Sequence, residues 1–283
     1  MRIMAGDVSL EVIGTGFEGW VTLTGLNTGP SGEYTQTKKI LEAHSIPGRK
    51  FVFCQQVQSL RVFFLDFDGE DIRVYRYSGR WIDSHLQIDK EPVGPQVYKK
   101  CVLAGCLGEG DGIISRVPSL VPGVTVADCI PIFLHQKGRG SSAFLGSPIY
   151  GTLHSGWQGT GILRVALAGI QDLWGVRPDD IEVGLGPGIC GSCYIVDAER
   201  ARIMETRFGS RWIREVAGKG EWKNVPQFRV DLFGINREIA KKSGIHLIHS
   251  PVHCTKENQK YNSFRRSQDS KRMFAFTLGK DST

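Results

Sequence analysis

The apolar positions fall mostly into short runs separated by glycine-rich turns, with a few longer stretches at helical spacing. Residues 8 to 24 alternate loosely and predict strands. Phe51 to Leu65 is rich in Phe and Val and predicts a buried strand. Val124 to Leu134 predicts another, interrupted by Asp128-Cys129. Ile149 to His154, Ile181 to Leu185, Ile245 to Ile248 and Met273 to Leu278 complete the strands. Helical spacing covers Tyr34 to His44, about 161 to 174, Ala198 to Phe208 and Val230 to Ser243. The second of these places Ile162, Ala166, Ile170 and Leu173 on one face, with Arg164, Gln171 and Asp172 elsewhere. Asp231 near a helix start and Gly244 at its end suit the polarity of the last one. Gly25 to Gly32 is a turn cluster. Asp66 to Lys100 is polar, with a hairpin-like Tyr75, Tyr77 and Trp81 pattern, and predicts an insertion outside the core at about 66–100. With no Pro/Gly/Ser linker and no repeat, the pattern predicts one domain over 1–283. Its class is α+β (mixed α/β), with mixed sheets packed together and flanked by helices.

Composition narrows the setting. The chain has 283 residues, 41% hydrophobic and 23% charged, which is ordinary globular usage and argues against disorder. No run of about 18 apolar residues predicts a membrane span. The start, Met1 to Asp7, lacks the apolar core of a secretory signal. Seven scattered cysteines in a chain of this length do not read as a disulfide scaffold, so reduced thiols in a cytoplasm are expected. The net charge of +6 suits small anions such as phosphate. The basic stretch Phe264 to Arg272 is too short to predict nucleic-acid binding. Glycine is the outlier, 35 residues or about one in eight, without a collagen period. It implies tight turns and close backbone approaches.

Several motifs carry chemistry. Gly186-Pro187-Gly188-Ile189-Cys190-Gly191 matches a dinucleotide-binding fingerprint in letters, but the following residues look extended, so a structural turn is expected. Cys190-Gly191-Ser192-Cys193 is a lone CxxC without the second pair of a zinc ribbon or the helix start of a thioredoxin-like site, and reads as coincidence. Asp128-Cys129 within an apolar strand is different, because a buried carboxylate is costly unless paired. His154-Ser155-Gly156-Trp157-Gln158-Gly159 places an imidazole at a strand end before a turn whose N–H groups suit an anion. Cys and His together are shared by zinc sites and by thiolate–imidazole nucleophile pairs. Ser263-Phe264-Arg265-Arg266 offers forked donors for phosphate or carboxylate.

These motifs, in this order, resemble the YfiH/laccase-domain family, whose members are labelled multicopper polyphenol oxidase, purine nucleoside phosphorylase or peptidoglycan editing factor. The matching stretches are Gly108-Glu109-Gly110-Asp111, Ala127-Asp128-Cys129, the His154 to Gly159 turn, Gly186-Pro187 with Ile189, Cys193-Tyr194, Cys254-Thr255 and Ser263 to Arg266. The resemblance implies a zinc ion held by three residues, which carry over to Gln58, Cys129 and His154. The first is a departure, because the family has His where this chain reads Gln56-Val57-Gln58-Ser59. Gln158 likewise replaces a family Arg, and Ser192 a family Cys. An amide oxygen is a weak zinc partner, so metal affinity is expected to fall by at least the ~10–100-fold typical of lesser changes around a metal. His85, His135 or His253 would have to replace it in space.

The resemblance implies a purine nucleoside phosphorylase-like enzyme acting on adenosine or inosine with phosphate, with adenosine deamination as a related activity. Cys129, His154 and Asp128 are the expected catalytic residues. Arg265, Arg266, Gly156 and Gln158 are the expected substrate and phosphate contacts, and Cys129, His154 and weakly Gln58 the expected metal ligands. Alternatives are a metal-independent Cys129/His154 hydrolase acting on an amide in peptidoglycan precursors, a binding paralogue without activity, and a polyphenol oxidase. Copper is not expected, since the motifs supply one clear His ligand.

Overall fold

The computed structural model describes residues 2–5, 8–13, 18–22, 49–69, 71–91, 96–99, 105–137, 147–216, 226–249, 253–269 and 271–279. The turn cluster at 25–32 and the helix expected at 34–44 lie outside these residues. Three sheets are formed among those described. A seven-stranded sheet runs in the order Arg2–Ala5, Val8–Ile13, Glu18–Thr22, Met273–Leu278, Leu120–Val126, Lys50–Gln55 and Gly105–Glu109. A nine-stranded sheet runs His246–His249, Ile181–Leu185, Ile130–Gln136, Tyr150–Ser155, Gly112–Ser115, Val62–Asp68, Asp71–Ile82 and His85–Lys90, with Gln96–Lys99 also paired to Asp71–Ile82. A small sheet joins Ile195–Asp197, Gln227–Val230 and Ile213–Glu215. Helices Ile162–Trp174, Ala198–Phe208 and Leu232–Lys242, and the short Phe264–Ser267, complete the α+β fold. No helix among the described residues is long and apolar enough to cross a membrane.

The central strands of the larger sheet, Gly112–Ser115, Ile130–Gln136 and Tyr150–Ser155, are buried on both faces, which explains why they are apolar nearly throughout. Along Val62–Asp68, Val62 and Phe64 join the core against the helices, while Phe63 and Leu65 face the core against the smaller sheet. Ile130, Ile132 and Leu134 share the helix side, and Phe133 the opposite one. Helix Ile162–Trp174 buries Ile162, Ala166 and Ile170, the stripe that its spacing predicts. Its ends are set by Gly161 and Gly175. Asp197 and Asp231 cap the two later helices by accepting from the backbone N–H groups of Arg200 and Gly234.

Two long strands expected from the sequence are each two strands. Phe51 to Leu65 divides into Lys50–Gln55 and Val62–Asp68, and Val124 to Leu134 into Leu120–Val126 and Ile130–Gln136. In both cases the chain leaves one sheet and enters the other, so apolarity continues while the pairing partner changes. Asp66 to Lys100 is also corrected. Asp71–Ile82 pairs with Val62–Asp68 over its first seven residues and extends the larger sheet instead of leaving it. Its alternation is real, with Ile72 and Val74 inside and Arg73 and Tyr75 less buried.

Gly151 lies against the neighbouring strand, where an added Cβ would stand 2.4 Å from the Ile113 carbonyl oxygen and 2.9 Å from Ile114 Cα. Backbone cannot yield there as a side chain would. Gly151→Ala is expected to cost at least the ~1–3 kcal/mol typical of overpacking. Gly175→Ala, at φ +64 with open space around it, should lose about 1–2 kcal/mol. Thermal melts of the two variants give the comparison.

Candidate active site

Three neighbouring strands of the seven-stranded sheet, Leu120–Val126, Lys50–Gln55 and Gly105–Glu109, run parallel. Each passes directly into a strand of the larger sheet, through residues 127–129, 56–61 and 110–111. Parallel strands cross at the same end, so all three crossings converge. Tyr150–Ser155 runs antiparallel to two of the receiving strands, which brings its carboxyl end to the same place. Gln58, Asp111, Asp128, Cys129 and His154 therefore meet although the sequence scatters them over 97 positions (154 − 58 + 1).

Asp111 is fully buried and anchors the cluster. Its carboxylate accepts from the backbone N–H groups of Val57 (3.3 Å), Gln58 (3.2 Å) and Ser59 (2.6 Å), and from the Ser59 hydroxyl (2.8 Å). The left-handed backbone of Gln58, at φ 57, turns these successive N–H groups inward. The remaining contact is His154 Nδ1, 2.8 Å from Asp111 Oδ1, and the His154 backbone N–H donates to the Asp111 carbonyl at 2.7 Å. Burial pushes the Asp111 carboxyl up, but His154 and Ser59 outweigh it and hold it below the usual carboxylate range.

With Nδ1 engaged by Asp111, the opposite edge of the His154 ring stands beside the Cys129 sulfur. Burial works against a charged His154, yet the Cys129 sulfur and the Asp111 carboxylate prevail and push it up to about 10. Gly156 has no side chain because the cluster closes over it. A Cβ there would lie 3.0 Å from Cys129 Sγ, 3.5 Å from Gln58 Oε1 and 3.6 Å from His154 Cε1. Gln58 thus stands beside the Cys–His pair, where the family resemblance implies an imidazole. No further His, Cys or carboxylate ligand atom joins the pair among the described residues. His85, His135 and His253 do not line this cavity. A thiol, an imidazole and a neutral amide do not make the three-ligand zinc site, so the donor set does not fit the metal that the resemblance implies.

A cavity of about 700 Å³ opens over the cluster. Cys129, His154, Gln58 and Asp128 line it, as does Arg265. Asp128 is tied to neighbouring segments. Its backbone takes φ 86, and its carboxylate accepts from the Thr255 hydroxyl (2.6 Å) and the Arg265 backbone N–H (2.7 Å). Three Arg–aromatic pairs also border the cavity: Arg200 over Trp157 (5.2 Å), Arg265 over Tyr194 (5.2 Å) and Arg272 over Phe264 (5.4 Å). Arg266, expected beside Arg265 for phosphate, turns away from the cavity. Its guanidinium donates to the backbone carbonyls of Thr255, Lys256, Asn258 and Tyr261 and shapes that loop. Gln158 is exposed and outside the cavity lining.

Asp111 was legible only as part of a motif; its position among Gly108, Gly110 and Gly112 is the signal for a carboxylate at a crowded turn. Arg200, on a helix start, and Arg272 carry no sequence signal for this cavity. The dinucleotide fingerprint is a turn, since Gly186 to Gly191 leads to the strand Ile195–Asp197 and not to a helix.

The sequence model of the family described as "Multi-copper polyphenol oxidoreductase laccase" matches residues 34–279. The purine nucleoside phosphorylase of Deinococcus radiodurans is 28% identical over 171 residues, 59% of this chain and 60% of that protein. The chain thus spans about three fifths of that relative's length. Adenosine deaminase RL5, from an unknown prokaryotic organism, is 34% identical over 91 residues, 31% of each chain. Among solved structures, Bacillus licheniformis YfiH superposes with a TM-score of 0.64 at 20% identity, covering 96% of this chain and 91% of the other. YlmD of Geobacillus stearothermophilus gives 0.63 at 21%, covering 97% and 92%. These likenesses establish the fold.

Removing the Asp111 carboxylate would leave three N–H groups and a buried imidazole without their acceptor. Asp111→Ala is expected to cost about 3–5 kcal/mol, read as a lower urea midpoint at unchanged slope. Because folding lowers the Asp111 pKa, its contribution is complete above about pH 4 and is lost as pH falls through the folded value. The variant should therefore show a shallower loss of stability in acid than the native chain.

Proposed function

Since the chain belongs to the multi-copper polyphenol oxidoreductase laccase family, we propose that it is an enzyme of purine nucleoside phosphorolysis working in the cavity over Cys129 and His154. One observation carries this reading: three arginines, each stacked on an aromatic ring, border the same cavity as the Cys129–His154–Asp111 cluster. Arginine forks suit phosphate, and flat rings suit a purine. A phosphate oxygen would form a bond to the ribose anomeric carbon as the bond to the purine nitrogen breaks. The electron pair leaves with the purine, and the His154 imidazole, held by Asp111, supplies its proton. The products are the free base and ribose 1-phosphate. Cys129 stands beside the imidazole, and Gly156 leaves room for both. The names of the Deinococcus and other relatives support the same chemistry for this chain. Polyphenol oxidation is not supported, because a multicopper centre needs several imidazoles and the cavity is lined by one.

A second reading has its own observation. Cys129, His154 and Asp111 stand in the order nucleophile, base and orienting carboxylate, with the Gln58 amide alongside. Such a set would attack an amide or ester carbonyl through the thiolate.

Inosine or adenosine incubated with phosphate and the purified chain should release free base and ribose 1-phosphate. No base, with or without added zinc, would overturn the phosphorylase reading. Arg265→Ala should lower kcat/KM for phosphate about 10–100-fold, equivalent to one or two lost charge-assisted hydrogen bonds. Arg266→Ala should lower the melting temperature and leave the phosphate KM near the native value. A pH 6–7 alkylation that modifies Cys129 ahead of the other thiols, together with turnover of amide but not nucleoside, would favour the hydrolase.

A further inference from the structure

Outside the cavity, two short turns face each other. Cys190-Gly191-Ser192-Cys193 makes one helical turn, in which Cys193 and Tyr194 both donate to the Cys190 carbonyl, at 3.0 and 2.9 Å. Cys254-Thr255-Lys256-Glu257 makes the second, closed by the Asn258 N–H on the Cys254 carbonyl at 3.0 Å. A parallel bridge of Gly188 with Cys254 locks the two segments together, through Gly188 N–H to the His253 carbonyl (3.1 Å) and Thr255 N–H to the Gly188 carbonyl (3.0 Å). The second ligand pair that the CxxC lacks in sequence is thus supplied by the tertiary structure, 61 residues downstream of Cys193 (254 − 193). One of its members is a carboxylate, which hides it from any search for paired cysteines.

The four side chains converge. The sulfurs of Cys190, Cys193 and Cys254 and a carboxylate oxygen of Glu257 all lie within 4.8 Å of one another. Cys193 Sγ is 3.3 Å from Glu257 Oε1, and Cys190 Sγ is 4.0 Å from Glu257 Oε2. Ligands on a tetrahedral zinc, with Zn–S near 2.3 Å and Zn–O near 2.0–2.2 Å, stand about 3.5–3.8 Å apart. The Cys190 backbone N–H also points at Cys254 Sγ, at 3.5 Å, in the manner that steadies a thiolate ligand. Cys190 and Cys254 are buried, whereas Glu257 is exposed, so an ion reaches the cluster from the surface. Three soft sulfurs exclude calcium and magnesium, and the single carboxylate departs from the four cysteines of an iron–sulfur cluster.

We propose that Cys190, Cys193, Cys254 and Glu257 bind one zinc ion in a closed, structural site. Four protein ligands leave no open position for a reacting water. The role is mechanical, and it reaches the cavity. Ile189, beside the first turn, donates its N–H to the Asp128 carbonyl at 2.8 Å, and Thr255, inside the second, donates its hydroxyl to the Asp128 carboxylate at 2.6 Å. The ion would hold together the two segments that pin the crossing on which Cys129 sits.

The test uses the full chain purified without chelator under reducing conditions. Elemental analysis should find about one zinc per chain, retained in Cys129→Ala and His154→Ala but lost in Cys193→Ser. Cobalt added to the reduced metal-free chain should give the intense sulfur-to-cobalt charge-transfer absorption of a tetrahedral thiolate site. Glu257→Gln, at an exposed position that leaves the fold intact, should weaken cobalt affinity at least tenfold while keeping the thiolate bands. The proposal is overturned if native and reconstituted chains show neither zinc nor those bands. It is equally overturned if the metal is lost with Cys129→Ala but kept in Cys193→Ser, or if mass measurement shows two of the three cysteines joined as a disulfide in the reduced preparation.

Discussion

A buried carboxylate organises this molecule. Asp111 accepts five hydrogen bonds, three from successive backbone N–H groups, one from the Ser59 hydroxyl and one from the His154 imidazole. Buried without them it would destabilise the fold by several kcal/mol. Paired, it fixes the crossing that carries Gln58 and the ring orientation of His154, beside which Cys129 stands. The two packed sheets depend on the same contact, because the crossings it ties are the places where chain passes from one layer to the other.

The crossings are a consequence of strand direction. Three adjacent parallel strands leave the seven-stranded sheet at one end, and the segments that join the two layers carry the polar residues. A sheet interior cannot hold Asp128 or Asp111 without partners, but the junction between two sheets offers backbone N–H groups that no strand uses. At Asp128 the donors come from outside the crossing, the Thr255 hydroxyl and the Arg265 backbone N–H. At residue 56 a side chain does the work of a strand. Gln56 Nε2 donates to the Thr125 carbonyl at 2.9 Å, and its Oε1 accepts from the Thr125 N–H at 2.6 Å.

Gln58 shows how one residue changes what such a junction can do. Its backbone N–H still serves Asp111 and its left-handed turn is kept. Only the side chain differs from the imidazole implied by the family resemblance, and it presents an amide oxygen beside Cys129 and His154. The scaffold survives because Asp111 reads the backbone at this position. The ligand chemistry does not survive, because a neutral oxygen is a poor zinc donor. The soft donors that a zinc ion prefers are concentrated instead in the Cys190–Cys254 cluster, outside the cavity lining.

Local periodicity determined much of this fold in advance. The helices at 162–174, 198–208 and 232–242 follow from apolar spacing and capping residues, and Met273–Leu278 from an unbroken apolar run. Asp128-Cys129 and the His154 turn stood out in the sequence, since a polar pair in an apolar strand and an imidazole at a strand end need a reason, and all three residues line the cavity. Sequence could not show that the two longest strands each divide between sheets, because burial on both faces looks the same whichever sheet a residue joins. It could not set Arg265 at the cavity with one carbonyl acceptor, Ile195, and commit its neighbour Arg266 to four carbonyls of a loop, because adjacent side chains on a short helix point in different directions. Nor could it pair Cys190 and Cys193 with Cys254 and Glu257. Such pairing depends on which distant turns the sheets bring together, and that is decided by packing over the whole chain.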